Sequence, residues 1–195
     1  MWFDLKDKEE LKQLRDKLAS EPSCTKEQVE KIMQVMINKA NSRYKPLEGH
    51  ETSLYPLVLE VEWVTCEQES GWIGCTYPEY NQVYLVEDWF LYNGTAFAEQ
   101  ICAHEVAHVV QHMLHGYSSH DRQFKQIWDD LLDRPHSTKL LAYANTPKYY
   151  KWLVICPHCG STVGSKGKPR RKEVTCWLCK NRFNVQENLI ENKVT

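Results

Sequence analysis

Apolar residues recur at helical spacing in four segments of the chain and alternate with polar ones in three more. Leu11, Leu14 and Leu18 share one face of a first helix. In a second, Val29, Ile32, Met33, Met36 and Ile37 follow the i, i+3, i+4, i+7, i+8 repeat of a buried stripe. "TKEQ" just ahead of that stripe sets Thr25 to cap the helix and Gln28 to reach back to it. The stretches "LVLEVEWV", "GWIGCTY" and "QVYLVEDWFLY" read as three antiparallel strands, the last two separated by the turn "PEYN". Gly71 and Gly74 mark a bend or a close backbone approach there. "NGT" then breaks the chain, with Thr95 as an N-cap, and a helix runs from Ala96 to Leu114 until Gly116 ends it. Its back face, Ala98, Cys102, Val106, Val109 and Met113, is core. After "SSHD", Phe124, Ile127, Trp128, Leu131 and Leu132 form the stripe of a fourth helix, which Pro135 stops.

Helices and a small separate sheet make the fold class α+β. A length of 195 residues allows one domain with a proper core and a small appendage. Charge divides the chain the same way. Residues 1–146 carry 14 Lys+Arg against 23 Asp+Glu, and residues 147–195 carry 10 against 3. The boundaries expected are 1–146 for a main domain with residues 1–24 as its helical extension, 147–184 for a small module, and 185–195 for a tail. Any polyanionic partner meets the basic module. No apolar run is long enough to span a bilayer, and the first residues, "MWFDLKDKEELKQLRDKL", lack the basic start and apolar centre of a signal peptide. The expected compartment is the cytoplasm, with a nuclear or nucleoid association also open, and a monomer is the default. Cys24, Cys66, Cys75 and Cys102 are scattered and read as small buried apolar residues.

The chemistry concentrates in "AHEVAHVVQHMLHGYSSHDRQF". "HEVAH" puts His104 and His108 one turn apart on one helix face, where both imidazoles can reach one ion. Glu105 stands beside that face, able to touch a metal-bound water without being a ligand. His112 and His115 continue the face but lie too far along it. At 1.5 Å per residue His112 is about 12 Å from His104 along the axis, whereas a Zn–N bond is about 2.1 Å. The third ligand therefore comes from chain that has turned back, and Gly116 permits the turn. His120 is the first candidate, heading its helix, and Asp129 is the carboxylate alternative. The three-histidine spacing of a metzincin fails, because Gln111 and Leu114 stand where Gly and His belong. A zinc ion so held lowers the pKa of its water, and Glu105 moves a proton from that water to the leaving amine, hydrolysing a peptide bond. Tyr117 or Arg122 can assist the oxyanion, and "QVYLV" is either an edge that receives extended substrate or an internal strand. His50 and His136 carry no assigned role.

"CPHC" and "CWLC" place Cys156, Cys159, Cys176 and Cys179 as two Cys-x-x-Cys knuckles of a zinc ribbon, a closed four-thiolate site whose zinc is structural. Between and after them lie Lys166, Lys168, Arg170, Arg171, Lys172, Lys180 and Arg182, candidate phosphate contacts, with Trp177 and Phe183 available to stack on bases or to pack the module.

"HEVAH", the histidine opening "HDRQF", the "RPHS" segment and the four-cysteine ribbon together resemble the SprT family of metallopeptidases, related to the Spartan protease. The resemblance covers roughly residues 25–183. It implies a zincin-like domain of helices and a small antiparallel sheet, His104, His108 and His120 as zinc ligands, and Glu105 as the catalytic acid/base. It also implies proteolysis of DNA-associated or DNA-crosslinked proteins, with two zinc ions and DNA as partners. Members often have Gly after the third histidine, where this chain has Asp121. The competing reading is a non-catalytic nucleic-acid-binding ribbon protein with a metallopeptidase-like scaffold.

Overall fold

A computed structural model of the protein describes residues 23–45, 56–66, 68, 72–137, 144, 150–165 and 167–191. The expected first helix with Leu11, Leu14 and Leu18, as well as His50, Gly71 and Lys166, lies outside the described residues. The chain divides into two compact units, one of which is Ser23–Ser137. The fold is α+β.

The first unit, Ser23–Ser137, is built round one helix. Helix α1 (Lys26–Arg43) opens on the expected capping box: the Gln28 amide donates to Thr25 Oγ1, and the Thr25 amide to the Gln28 side chain at 2.9 Å. Val29, Met33, Met36, Ile37 and Ala40 are its buried stripe, whereas Ile32 is only half-buried. Strands β1 (Glu60–Val64), β2 (Gly74–Tyr77) and β3 (Gln82–Val86) form a sheet in the order β1-β3-β2. This corrects the expected all-antiparallel sheet. β3 runs antiparallel to β2 but parallel to β1, so the sheet is mixed. "QVYLV" is accordingly the central strand, not an edge. Alternation in the sequence shows which residues face inward, not which strand pairs with which. Val83, Leu85 and Val86 make β3 the most apolar of the three and seat it in the middle, leaving Glu60 and Glu62 on an edge.

The strand also ends sooner than its apolar run suggests. Glu87–Leu91 is a short helix, α2, in which Glu87 and Asp88 occupy the acid-favouring first turn. Asp88 accepts the Cys66 amide at 2.6 Å, and Phe90 packs on Trp63 and Phe97. Helix α3 (Thr95–His115) is capped by Gly94, so Thr95 is its first residue and not its N-cap. It is buried on most sides, including Gln100, Glu105 and Gln111, and every residue of its expected back face is core. Gly116 ends it at φ 73, with its amide returning to the His112 carbonyl at 2.7 Å. Helix α4 (Arg122–Leu132) buries the stripe expected of it, and Asp121 caps it by accepting the Phe124 amide. Its C-terminal end is fastened to α1: Lys39 donates to the Leu131 carbonyl at 2.8 Å and pairs with Asp133 at 2.6 Å. Among the described residues no helix is long and apolar enough to cross a membrane.

The second unit contains two small β layers. β4 (Trp152–Ile155) lies between β5 (Thr162–Ser165) and β8 (Leu189–Glu191), all antiparallel. β6 (Glu173–Thr175) and β7 (Arg182–Asn184) form a separate hairpin. The segment expected as a tail thus supplies a strand. Each Cys-x-x-Cys loop leads from the first strand of its hairpin toward the second.

Candidate metal centres

Helical spacing and the turn at Gly116 bring three of the five clustered histidines together. His104 Nε2 lies 3.1 Å from His108 Nε2 and 3.1 Å from His120 Nε2. His112 and His115 stand outside this cluster, one half-buried and the other exposed. Asp129 is engaged elsewhere. Its Oδ1 meets Nδ1 of His136 at 2.5 Å, and the His136 ring stacks on Trp128 at 4.2 Å. His120, not Asp129, completes the trio.

The turn that delivers His120 is fastened from beneath. Gln111, fully buried on α3, accepts the Ser119 amide at 2.7 Å and donates to Asp121 at 3.0 Å. The Phe124 amide and the Ser119 hydroxyl on the Asp121 carboxylate hold its pKa below the usual range. Asp121 is therefore the keystone of this turn and the cap of α4, which explains an aspartate at that position. Tyr117 donates to Gln123 at 2.8 Å and so belongs to the same turn. Phe124 forms the floor, its ring 4.9, 4.4 and 4.9 Å from those of His104, His108 and His120. Trp128 closes the far side of His104, edge-on at 4.7 Å. Ser118 Oγ meets His108 Nδ1 at 2.6 Å, fixing that ring. His104 Nδ1 is buried with no hydrogen-bond partner.

These surroundings keep the His104 and His108 imidazoles neutral. Burial, then the neighbouring His108 and His120, push His104 down to about 3. Burial, then His120, push His108 down to about 4. Neutral imidazoles are metal ligands, and the spacing suits one ion. Nitrogens at about 2.1 Å on a tetrahedral centre sit about 3.4 Å apart. Without a cation, one His104 nitrogen faces two others at contact distance. A shared ion satisfies all three lone pairs. With three protein donors and exposure at His120, the site retains an open side.

Glu105 is 3 % exposed, one residue round the helix from His104. Strand β2 holds it. Thr76 Oγ1 donates to Glu105 Oε2 at 2.7 Å, and a Cβ on Gly74 would stand 2.5 Å from Oε1. Burial pushes the carboxyl up to about 7, against the opposing hydrogen bond from Thr76. The expected close approach at Gly74 is thus an approach to the glutamate.

In the second unit the four cysteines form a closed group. Sγ of Cys156 and Cys179 are 3.7 Å apart, as are those of Cys159 and Cys176. Sulfurs at about 2.3 Å on a tetrahedral ion sit about 3.8 Å apart. The two knuckles match bond for bond. The Gly160 amide returns to Cys156 and the Lys180 amide to Cys176, with Gly160 at φ 72 and Lys180 at φ 63. Burial raises the Cys176 thiol, but Ser161 and the backbone amides of Cys179 and Leu178 outweigh it and pull it down to about 6. Cys156, Cys159 and Cys176 are buried, Cys179 is half-buried, and Phe183 packs against the cluster.

The basic residues differ in what they touch. Lys180 adopts the left-handed conformation of its knuckle, its Nζ donating to the Trp177 carbonyl at 2.6 Å. Arg182 pairs with Glu173 at 2.6 Å. Lys168 stands over the Trp152 ring at 5.4 Å. Arg170, Arg171 and Lys172 are exposed on the loop between β5 and β6, and Trp177 is 43 % exposed. No protein-family model matches the chain, and no solved structure matches it. Thr76, Gln111, Ser118, Phe124 and Trp128 are the site residues that sequence reading missed or assigned to core. Phe124 carried a signal, since it follows His120 by four positions and its ring meets that histidine at 4.9 Å.

Proposed function

We propose that the chain is a zinc-dependent endopeptidase of the zincin type, similar to the SprT family, acting on DNA-associated or DNA-crosslinked proteins. The observation that carries this reading is the His104, His108 and His120 triangle beside a buried glutamate held by Thr76 and Gly74. Both donor sets fit zinc: three imidazoles with an open side for a catalytic ion, and four thiols in one cluster for a structural one.

A zinc ion at the histidines supplies a Lewis acid that polarises the scissile carbonyl. The chain's own groups do the rest. Glu105 takes a proton from the attacking water and returns it to the leaving amine nitrogen, a task suited to a carboxyl whose pKa lies near neutrality. Thr76 fixes Oε2, leaving Oε1 as the atom that carries the proton. Phe124 and Trp128 hold the imidazoles and keep water from behind them. β2 carries both contacts to Glu105 and is an edge strand, so an extended substrate added alongside it lies next to the acid/base. Arg170, Arg171 and Lys172, with Lys168, supply positive charge toward DNA phosphates.

The test is cleavage of a protein substrate with and without single-stranded DNA, using wild type and Glu105→Gln at equal metal content. DNA-stimulated cleavage that drops by about 10²- to 10⁴-fold in the variant supports the reading. DNA binding with equal residual cleavage in both proteins assigns the chain to the non-catalytic ribbon class.

A further inference from the structure

The face of the first sheet opposite α3 carries a concavity. Residues alternate across a strand, so Gly74 and Thr76 face Glu105 while Cys75 and Tyr77 face away. Register places Tyr84 beside Cys75 and Glu62, and Gln82 beside Tyr77 and Glu60. Trp72, Tyr77, Tyr80 and Tyr84 line a concavity of about 440 Å³ on that outer face. Tyr80 is 73 % exposed and Tyr77 is 46 % exposed. The Tyr77 and Tyr84 rings meet edge to face at 5.7 Å. Tyr84 donates to Gln82, whose amide donates to Glu62 at 3.3 Å, a chain that runs across the face to a carboxylate.

Among the described residues, carboxylates stand on this face and beside it. Glu60 and Glu62 are exposed on β1, and Glu79 is exposed between Tyr77 and Tyr80. The sequence has no lysine or arginine between Lys45 and Arg122, but twelve aspartates and glutamates. Four aromatic rings with carboxylates beside them suit a positive side chain. The ring faces attract it, and the carboxylates complete its charge. Polyphosphate is repelled by the same carboxylates.

We propose that this concavity binds a lysine or arginine side chain of a basic polypeptide segment. The stem of that side chain lies along the rings, and its cationic head reaches Glu62 or Glu60. The site uses none of the histidine-centre residues, so it stands or falls apart from the peptidase reading.

The experiment is titration of fluorescent glycine–serine peptides carrying arginines, glutamates or neither into the full chain. The Glu105→Gln background keeps the peptides intact. The arginine peptide binds, and Tyr80→Ala weakens it by at least about three-fold. Tyr80→Phe retains binding because the ring, not the hydroxyl, provides the attraction. Glu62→Gln weakens binding and flattens its salt dependence. Tyr80 is exposed, so its variants keep the fold, and a thermal melt matching wild type checks this. Unchanged arginine-peptide affinity in folded Tyr80→Ala, or equal affinity for the neutral peptide, overturns the proposal. So does loss of oligothymidylate binding in Tyr80→Ala with the arginine peptide unaffected, which would reassign the face to nucleic acid.

Discussion

A carboxyl group that is 3 % exposed and touched by one hydroxyl can hold a proton near neutrality, and Glu105 is such a group. Its position depends on a missing side chain. In Gly74→Ala the added methyl would stand 2.5 Å from Oε1, so the carboxyl must swing away. We expect cleavage to fall by about 10- to 100-fold while metal content stays at the wild-type level. Parallel rate and metal measurements check this, and a fully active variant would show that the carboxyl can move without cost. At this scale much was legible. Spacing alone paired His104 with His108 and placed Glu105 beside them, because helix geometry is local. Thr76 and Gly74 reach Glu105 across some thirty positions of chain, and no local pattern encodes that contact.

Among the elements, the turn between α3 and α4 decides whether the third histidine arrives. Gln111 supports it with two hydrogen bonds from inside the helix. Gln111→Ala leaves Asp121 and the Ser119 amide without these bonds and lets His120 wander. We expect affinity at the histidine site to drop by about 10- to 100-fold, with both helices retained by circular dichroism. Chelator competition measures the first effect, and an unchanged affinity would mean that Asp121 holds the turn alone. Helices α1, α3 and α4 were readable to within a residue or so because their stripes and caps are written in adjacent positions. Strand order was not. β1 and β3 pair in parallel across an intervening strand, and that choice rests on which strand is apolar enough to sit in the centre. The end of β3 was missed for a related reason. Phe90 faces the core from a helix as well as it would from a strand.

For the whole molecule, acid is the plainest probe. His104 and His108 titrate at about 3 and about 4 in the folded state, against 6.5 when exposed. Below pH 6.5 the unfolded chain therefore takes up protons that the folded, metal-free chain refuses. Stability is full above that pH and falls as pH drops toward 4. Glu105 opposes this. Raised to about 7 from 4.5, it binds its proton first in the folded state and offsets one histidine between pH 7 and 4.5. The loss from these three groups should be shallow down to about pH 4.5 and steeper just below it. Urea midpoints of the metal-free protein across this range measure it. A midpoint that rises steadily on acidification contradicts the buried, neutral histidine pair. The two-part organisation was visible in the charge step, but β8 was not, because a three-residue strand has too little pattern to show.

The most direct test of the account is metal stoichiometry across a set of variants. Wild type should hold two zinc ions per chain. His120→Ala should hold one, because the three-nitrogen site loses a donor. His112→Ala and Asp129→Asn should each still hold two. If His120→Ala keeps both ions while His112→Ala or Asp129→Asn loses one, His120 is not the third ligand and the proposed metal centre is wrong.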